Sequence, residues 1–135
     1  MTIQLGTTYR NALLDLFETT VGVSCVLRIR TGAQPANCAA SRSGTVLTTI
    51  QCPSDWAADA SGGSKSFLGT WSDSSADAAG TAAHFEIMDS TLTTCHMQGT
   101  VTSTGGGGDM TIDNTNIAAG QVITVTGFTL TAPGA

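Results

Sequence analysis

At 135 residues the chain is long enough to bury a real core as one domain without covalent staples. Only 11% of its residues are charged, and Ser and Thr fill positions that Lys and Glu usually hold, which predicts a neutral, hydroxyl-rich surface. Net charge is −5 with no basic stripe, which speaks against nucleic acid, whose phosphates supply most non-specific affinity.

The charge is uneven. Residues 1–65 hold all five bases (Arg10, Arg28, Arg30, Arg42, Lys65) and four acids, whereas residues 66–135 hold six acids and no base. Such a face either is simply solvated or orients the molecule against a charged partner.

In chain order, residues 1–6 (MTIQLG) form a short arm, frayed or docked on a neighbour. A helix is predicted over 8–21. Tyr9, Ala12, Leu13, Leu16 and Phe17 recur at three- and four-residue spacing, so that face is expected to plug the core. Asp15 and Glu18 fall on the polar side, Thr7 or Thr8 can cap the start, and Gly22 can close the end. An interface helix is the alternative.

From 23 to 135 the pattern is that of a β-core. In SCVLRIRT, Cys25, Leu27 and Ile29 alternate with Val26, Arg28 and Arg30, which reads as a half-exposed strand. Gly32–Gly44 is a long loop with Arg42 at its tip, solvated or in contact with a partner. Thr45–Gln51 is the second strand, Trp56 anchors the loop after it, and Lys65–Trp71 is the third. Thr81–Asp89 and the run TTCHMQGTVT follow as the fourth and fifth. Gly105–Gly108 is expected as a flexible hairpin tip, DMTID as a sixth strand and NTNIAAG as a turn. The last strand, GQVITVTGFTLTA, changes apolar parity at Gly127 from Ile123 and Val125 to Phe128 and Leu130, the mark of a β-bulge. Strands at regular spacing between turn signals predict a mainly β, single-domain antiparallel β-sandwich, jelly-roll-like, with one short N-terminal helix.

Chemistry is sought in vain. His84 and His96 lack a ligand partner at metal spacing and are expected exposed on strands; Cys95 and His96, adjacent in a strand, point to opposite faces. Asp73 and Asp77 miss the EF-hand pattern and read as turn caps. There is no G-x-S-x-G elbow, and the glycine run lacks the Lys-Ser/Thr of a phosphate loop. No catalytic, cofactor-binding or metal residue is therefore assigned, and no enzyme activity is expected. The N-terminus lacks the basic and apolar regions of a signal peptide, and no run nears the roughly 20 apolar residues of a membrane span, so no membrane partner is expected. Synthesis in a reducing cytoplasm is the expectation. Cys25, Cys38, Cys52 and Cys95, spaced by 13, 14 and 43, fit no secreted framework and no C-x-x-C; they read as free, mostly buried thiols, with one late disulfide or a metal set as alternatives.

The segments YRNALLDLFETTVG, LRIRTGAQPANCAA, SGTVLTTIQCPSDW, ADAAGTAAHFEIMDS, QGTV and DMTIDNTNIAAGQVITVTGFTLTA together resemble small virion proteins of tailed bacteriophages and prophages. Within that group a compact β-module of this size is similar to capsid cement, or decoration, proteins. The resemblance implies a structural protein on the outer surface of the head, clamping neighbouring capsid subunits. Its partners would be the major capsid protein and further copies of itself, as dimer or trimer. The four cysteines and the glycine run depart from the usual pattern. A tail, neck or fibre protein is the first alternative. A carbohydrate-binding sandwich, stacking sugars on Trp56, Trp71 and Tyr9, is the second. The expected contact regions are residues 1–6, the helix face and the Gly32–Gly44 loop.

Overall fold

Extended segments rich in β-branched and apolar residues build the core of the molecule. In the computed structural model, which describes residues 3–135, helix α1 (Thr7–Val21) precedes β1 (Val26–Arg30), β2 (Val46–Gln51), β3 (Ser64–Ser66), β4 (Ser72–Asp73) and β5 (Gly80–Thr81). Then come β6 (His84–Met88), β7 (Cys95–Ser103), β8 (Met110–Ile112), β9 (Asn116–Ile117) and β10 (Ile123–Thr131). The main sheet runs β2-β1-β6-β7-β8-β10-β3, with β4 also on β10 and a small β5-β9 pair apart. The expected mainly β, single-domain, sandwich-like fold with one N-terminal helix is what forms.

The sheet doubles over on itself. β6 and β10 are not neighbours in it, yet the Phe85 and Phe128 rings stand 5.4 Å apart, edge to face. Thr48 on β2 likewise donates its hydroxyl to Asp73 on β4. Between the layers lie Leu27, Ile29, Leu47, Ile87, Met110, Ile112 and Ile123, all fully buried. A run of aromatic contacts crosses this core, from Phe17 on α1 to Trp56 (5.9 Å), Trp71 (6.2 Å) and Phe128 (5.8 Å). Tilted and edge-on pairs of this kind add roughly 0.5–1.5 kcal/mol each beyond the area they bury.

Two local expectations from the sequence hold closely. Trp56 anchors its loop, its indole N–H donating to the Gly22 carbonyl at 3.0 Å. The β10 register slips between Val125 and Gly127, so Ile123, Val125 and Phe128 all reach the core despite the change of parity.

Three expectations are corrected. First, β7 and β8 pair in parallel, Val101 opposite Met110, whereas the other pairings are antiparallel. Thr104–Asp109 is therefore a return strap laid along β7, not a hairpin tip. Asp109 accepts from the Thr100 N–H at 2.9 Å, and the Gly108 N–H donates to the Thr102 hydroxyl at 3.0 Å. The glycines permit this close approach: a Cβ on Gly108 would lie 2.9 Å from the Thr102 Cγ2 and backbone nitrogen. Second, NTNIAAG contains β9, which pairs with β5. Third, no side chain caps the start of α1, where Gly6 is the N-cap residue; Gly22, at φ 84°, closes the end with its N–H on the Glu18 carbonyl at 2.9 Å.

Candidate interaction surface

Helix α1 packs by a different stripe from the one its apolar periodicity marks. Arg10, Leu14 and Val21 are buried and Phe17 is half-buried against the core; these positions are four, three and four residues apart, a single face of a 3.6-residue helix. Of the expected core stripe Phe17 does pack on the core, but Tyr9, Leu13 and Leu16 lie one residue round and face outward, 58%, 37% and 61% exposed.

The reason lies in what the helix covers. β3 ends the sheet, and an edge strand with its preceding turn presents backbone groups that need partners. Asn11 and Asp15 of α1 supply two of them in the turn before β3, and Arg10 reaches the adjoining end of β10. Arg10 donates from Nε and Nη2 to the Ala132 carbonyl at 3.2 and 2.8 Å. Asn11 Oδ1 accepts from the Gly63 N–H at 2.8 Å, and Asp15 Oδ1 from the Ala60 N–H at 3.0 Å.

Lys65 completes the anchor. Its side chain, pointing from β3, is fully buried and ends between Asp15 Oδ1 (2.7 Å) and Glu18 Oε2 (2.6 Å). Burial works against the ammonium, but the hydrogen bonds to both carboxylates outweigh it and hold Lys65 above its ordinary value. The bond from Lys65, then that from the Ala60 N–H, hold the Asp15 carboxyl below its own. Asp15 and Glu18, expected on the solvent side, are thus docking residues, and Tyr9, Leu13 and Leu16 are left facing out. A helix that docks through Lys65 and its polar side while leaving Tyr9, Leu13 and Leu16 to solvent has an unfilled contact face.

The Gly32–Gly44 loop, expected as a free contact loop, is folded onto its own sheet. Arg28, Arg30, His84, Glu86 and Gln98 share the face of β1-β6-β7 opposite the core, by cross-strand register. Glu86 is completely buried there, bound by Arg30 Nε at 2.9 Å and Arg42 Nη1 at 3.0 Å. Arg42 also donates to the Cys38 and Ala40 carbonyls at 2.7 and 2.6 Å, and Gln98 Nε2 to the Pro35 carbonyl at 2.7 Å. Arg42 is therefore a clasp, not a solvated tip. The cover it makes buries the second face of β1 and β6, so the half-exposed strand expected at Cys25–Arg30 is largely covered, and so is His84. Expected exposed, His84 is 1% exposed, with Nδ1 donating to the Gly32 carbonyl at 2.9 Å.

The remaining singled-out residues do not converge. Asp73 caps a turn, accepting from the Ser75 N–H at 2.9 Å, and Asp77 is exposed. His96 is half-buried on β7. Trp56 and Trp71 are 1% and 0% exposed, so neither ring offers the sugar platform considered from sequence; of that set Tyr9 alone is on the surface. In the N-terminal arm, Met1 and Thr2 lie outside the described residues, and the Leu5 N–H docks on the chain's own Gly134 carbonyl at 2.6 Å. A groove of about 420 Å³ over Phe85 and Phe128 holds Asp109 as its acid, already engaged by Thr100. Among the described residues no three His, Cys, Asp or Glu side chains gather as a metal site, and no helix is long and apolar enough to cross a membrane.

Comparison with known proteins places no relative beside this chain: no family model, no curated protein and no solved structure matches it.

Proposed function

We propose that the protein is a structural interaction module of a virus particle, a capsid cement protein of the tailed-bacteriophage kind that its sequence resembles. The observation that carries a docking role is the outward stripe Tyr9, Leu13 and Leu16 on a helix whose polar side is already committed to its own sheet. Together these side chains offer on the order of 300 Å² of apolar surface, the size of a functional patch on a typical small protein. One such patch gives a weak joint. Repeated over a capsid lattice, many weak joints hold through multivalency.

The rest of the molecule suits a stationary part better than a catalyst. Its long loop is clasped down through Glu86, and its glycine strap is bonded along β7. The partners in this reading are the major capsid protein and a second copy of the chain, as dimer or trimer. The identification with the head, as against the tail or neck, rests on the sequence resemblance.

Copy number in purified particles tests this. A ratio to the major capsid protein between one-to-one and one-to-a-few is expected. A dozen copies or fewer would move the protein to the tail or neck, and absence from the particle would overturn the virion reading.

A further inference from the structure

The four cysteines, scattered in sequence, meet in two couples. Cys25 and Cys52 stand directly opposite each other, one step beyond the Val26–Gln51 pair of β1 and β2, and the Cys52 N–H donates to the Cys25 carbonyl at 3.1 Å. Residues facing one another across a hydrogen-bonded antiparallel pair have Cα atoms about 5.5 Å apart, inside the range that a disulfide spans. Both side chains are buried. Cys38 sits in the clasped loop and Cys95 begins β7. Arg42, bonded at once to the Cys38 carbonyl and to Glu86 and Gln98 on the sheet, holds the Cys38 part of the loop against the sheet on the side of β7, the strand that Cys95 begins. All four are thiols here.

We infer that Cys25/Cys52 and Cys38/Cys95 are two preformed dithiols, each of which closes to an intramolecular disulfide when it meets a small-molecule disulfide oxidant such as oxidised glutathione. The thiolate of one cysteine attacks a glutathione sulfur, the glutathione S–S bond breaks, and a mixed disulfide forms as one glutathione leaves. The second cysteine, giving up its proton, attacks the protein-side sulfur and releases the other glutathione. Two protein thiols are oxidised, one glutathione disulfide is reduced to two thiols, and the protein's two protons end on them.

The couples differ in access. Cys38 and Cys95 are half-exposed, so an oxidant reaches them in the folded protein. Cys25 and Cys52 are 0% and 3% exposed and react only when the β1–β2 end opens. Burial, and then the neighbouring Cys38, pushes the Cys95 thiol up to about 11, and that thiol donates to the Met97 carbonyl at 3.4 Å. The neighbouring Cys52 thiol holds Cys25 below the ordinary thiol value, and Cys25 together with burial drives Cys52 far above it. Closure of the outer couple would fix covalently a loop that Arg42 now holds by hydrogen bonds. Closure of the inner couple would staple the ends of β1 and β2.

The test is peptide mapping of the intact protein after incubation with oxidised glutathione and alkylation of remaining thiols. Four cysteines allow three pairings, and trypsin places each on its own peptide: Cys25 on 11–28, Cys38 on 31–42, Cys52 on 43–65 and Cys95 on 66–135. The expected products are the 31–42/66–135 link, formed first, and the 11–28/43–65 link, formed later. A crossed pairing, a link between two chains, or glutathione adducts that persist on the wild-type protein would overturn the inference. In Cys38→Ser the inner link is expected to form unchanged while Cys95 keeps glutathione; Cys95 linking instead to Cys25 or Cys52 would contradict the two-couple arrangement.

Discussion

Two leucines two residues apart on α1 separate the structure from the simplest reading of its sequence. Leu14 is 8% exposed and packs inward, whereas Leu16 is 61% exposed, although apolar spacing assigns Leu16 to the core. Leu14→Ala removes a nearly buried side chain and leaves a cavity, which costs about 2–4 kcal/mol. Leu16→Ala removes surface that is mostly wet already. Because Ala is the better helix former, the change stays within about 0.5 kcal/mol and can even stabilise. For a chain of this size the Leu14 variant should melt roughly 10 °C lower, with Leu16→Ala unmoved. Thermal or urea unfolding followed by circular dichroism reads both. Equal losses, or a larger loss from Leu16→Ala, would mean that α1 docks by the stripe containing Tyr9, Leu13 and Leu16, and the outward face would vanish with the argument built on it.

Other consequences can be measured in the same way. Glu18→Gln takes one of two carboxylates from the buried Lys65 ammonium and should cost roughly 1–3 kcal/mol. Asp15 is held below its ordinary value, so its contribution is complete above the unfolded carboxylate range near pH 4 and is lost as pH falls through the folded value. Lys65 is held above its own, so its contribution is complete below about pH 10 and is lost as pH rises further. In an acid titration Asp15→Asn should therefore flatten the stability curve, and an unchanged curve would contradict the anchor. Glu86→Gln leaves Arg30 and Arg42 without their buried counter-charge, with a loss of about 3 kcal/mol and faster tryptic cutting after Arg42; undisturbed proteolysis would refute the clasp. Gly108→Ala drives a methyl into the Thr102 backbone and should cost about 1–3 kcal/mol, whereas a freely moving tip would accept it.

The sequence was most legible where a residue's environment is local. Alternation marks β1, and the parity change at Gly127 marks the β10 bulge, because a strand's side chains follow its own backbone period. It was least legible where a distant element decides. Nothing near residue 14 announces that Lys65 will reach up from β3, so apolar spacing finds Phe17 of the docking stripe of α1 but misses Leu14 by one residue. Nothing near His84 announces the cover formed by Gly32–Gly44, whose composition reads as a free loop while Arg42 folds it onto Glu86. The glycine run reads as a tip because Gly signals conformational freedom; here it signals close approach of a returning strap, which only the β7/β8 pairing reveals. The cysteine couples were hidden for the same reason, being set by the β1–β2 register and by Arg42.

The docking claim is tested most directly by hydroxyl-radical footprinting of the protein free and on purified particles. Tyr9, Leu13 and Leu16 should react in the free protein and be protected on the particle, with Val122, exposed elsewhere, as an internal reference. Equal reactivity of the three in both states, while other residues become protected, would contradict α1 as the contact face.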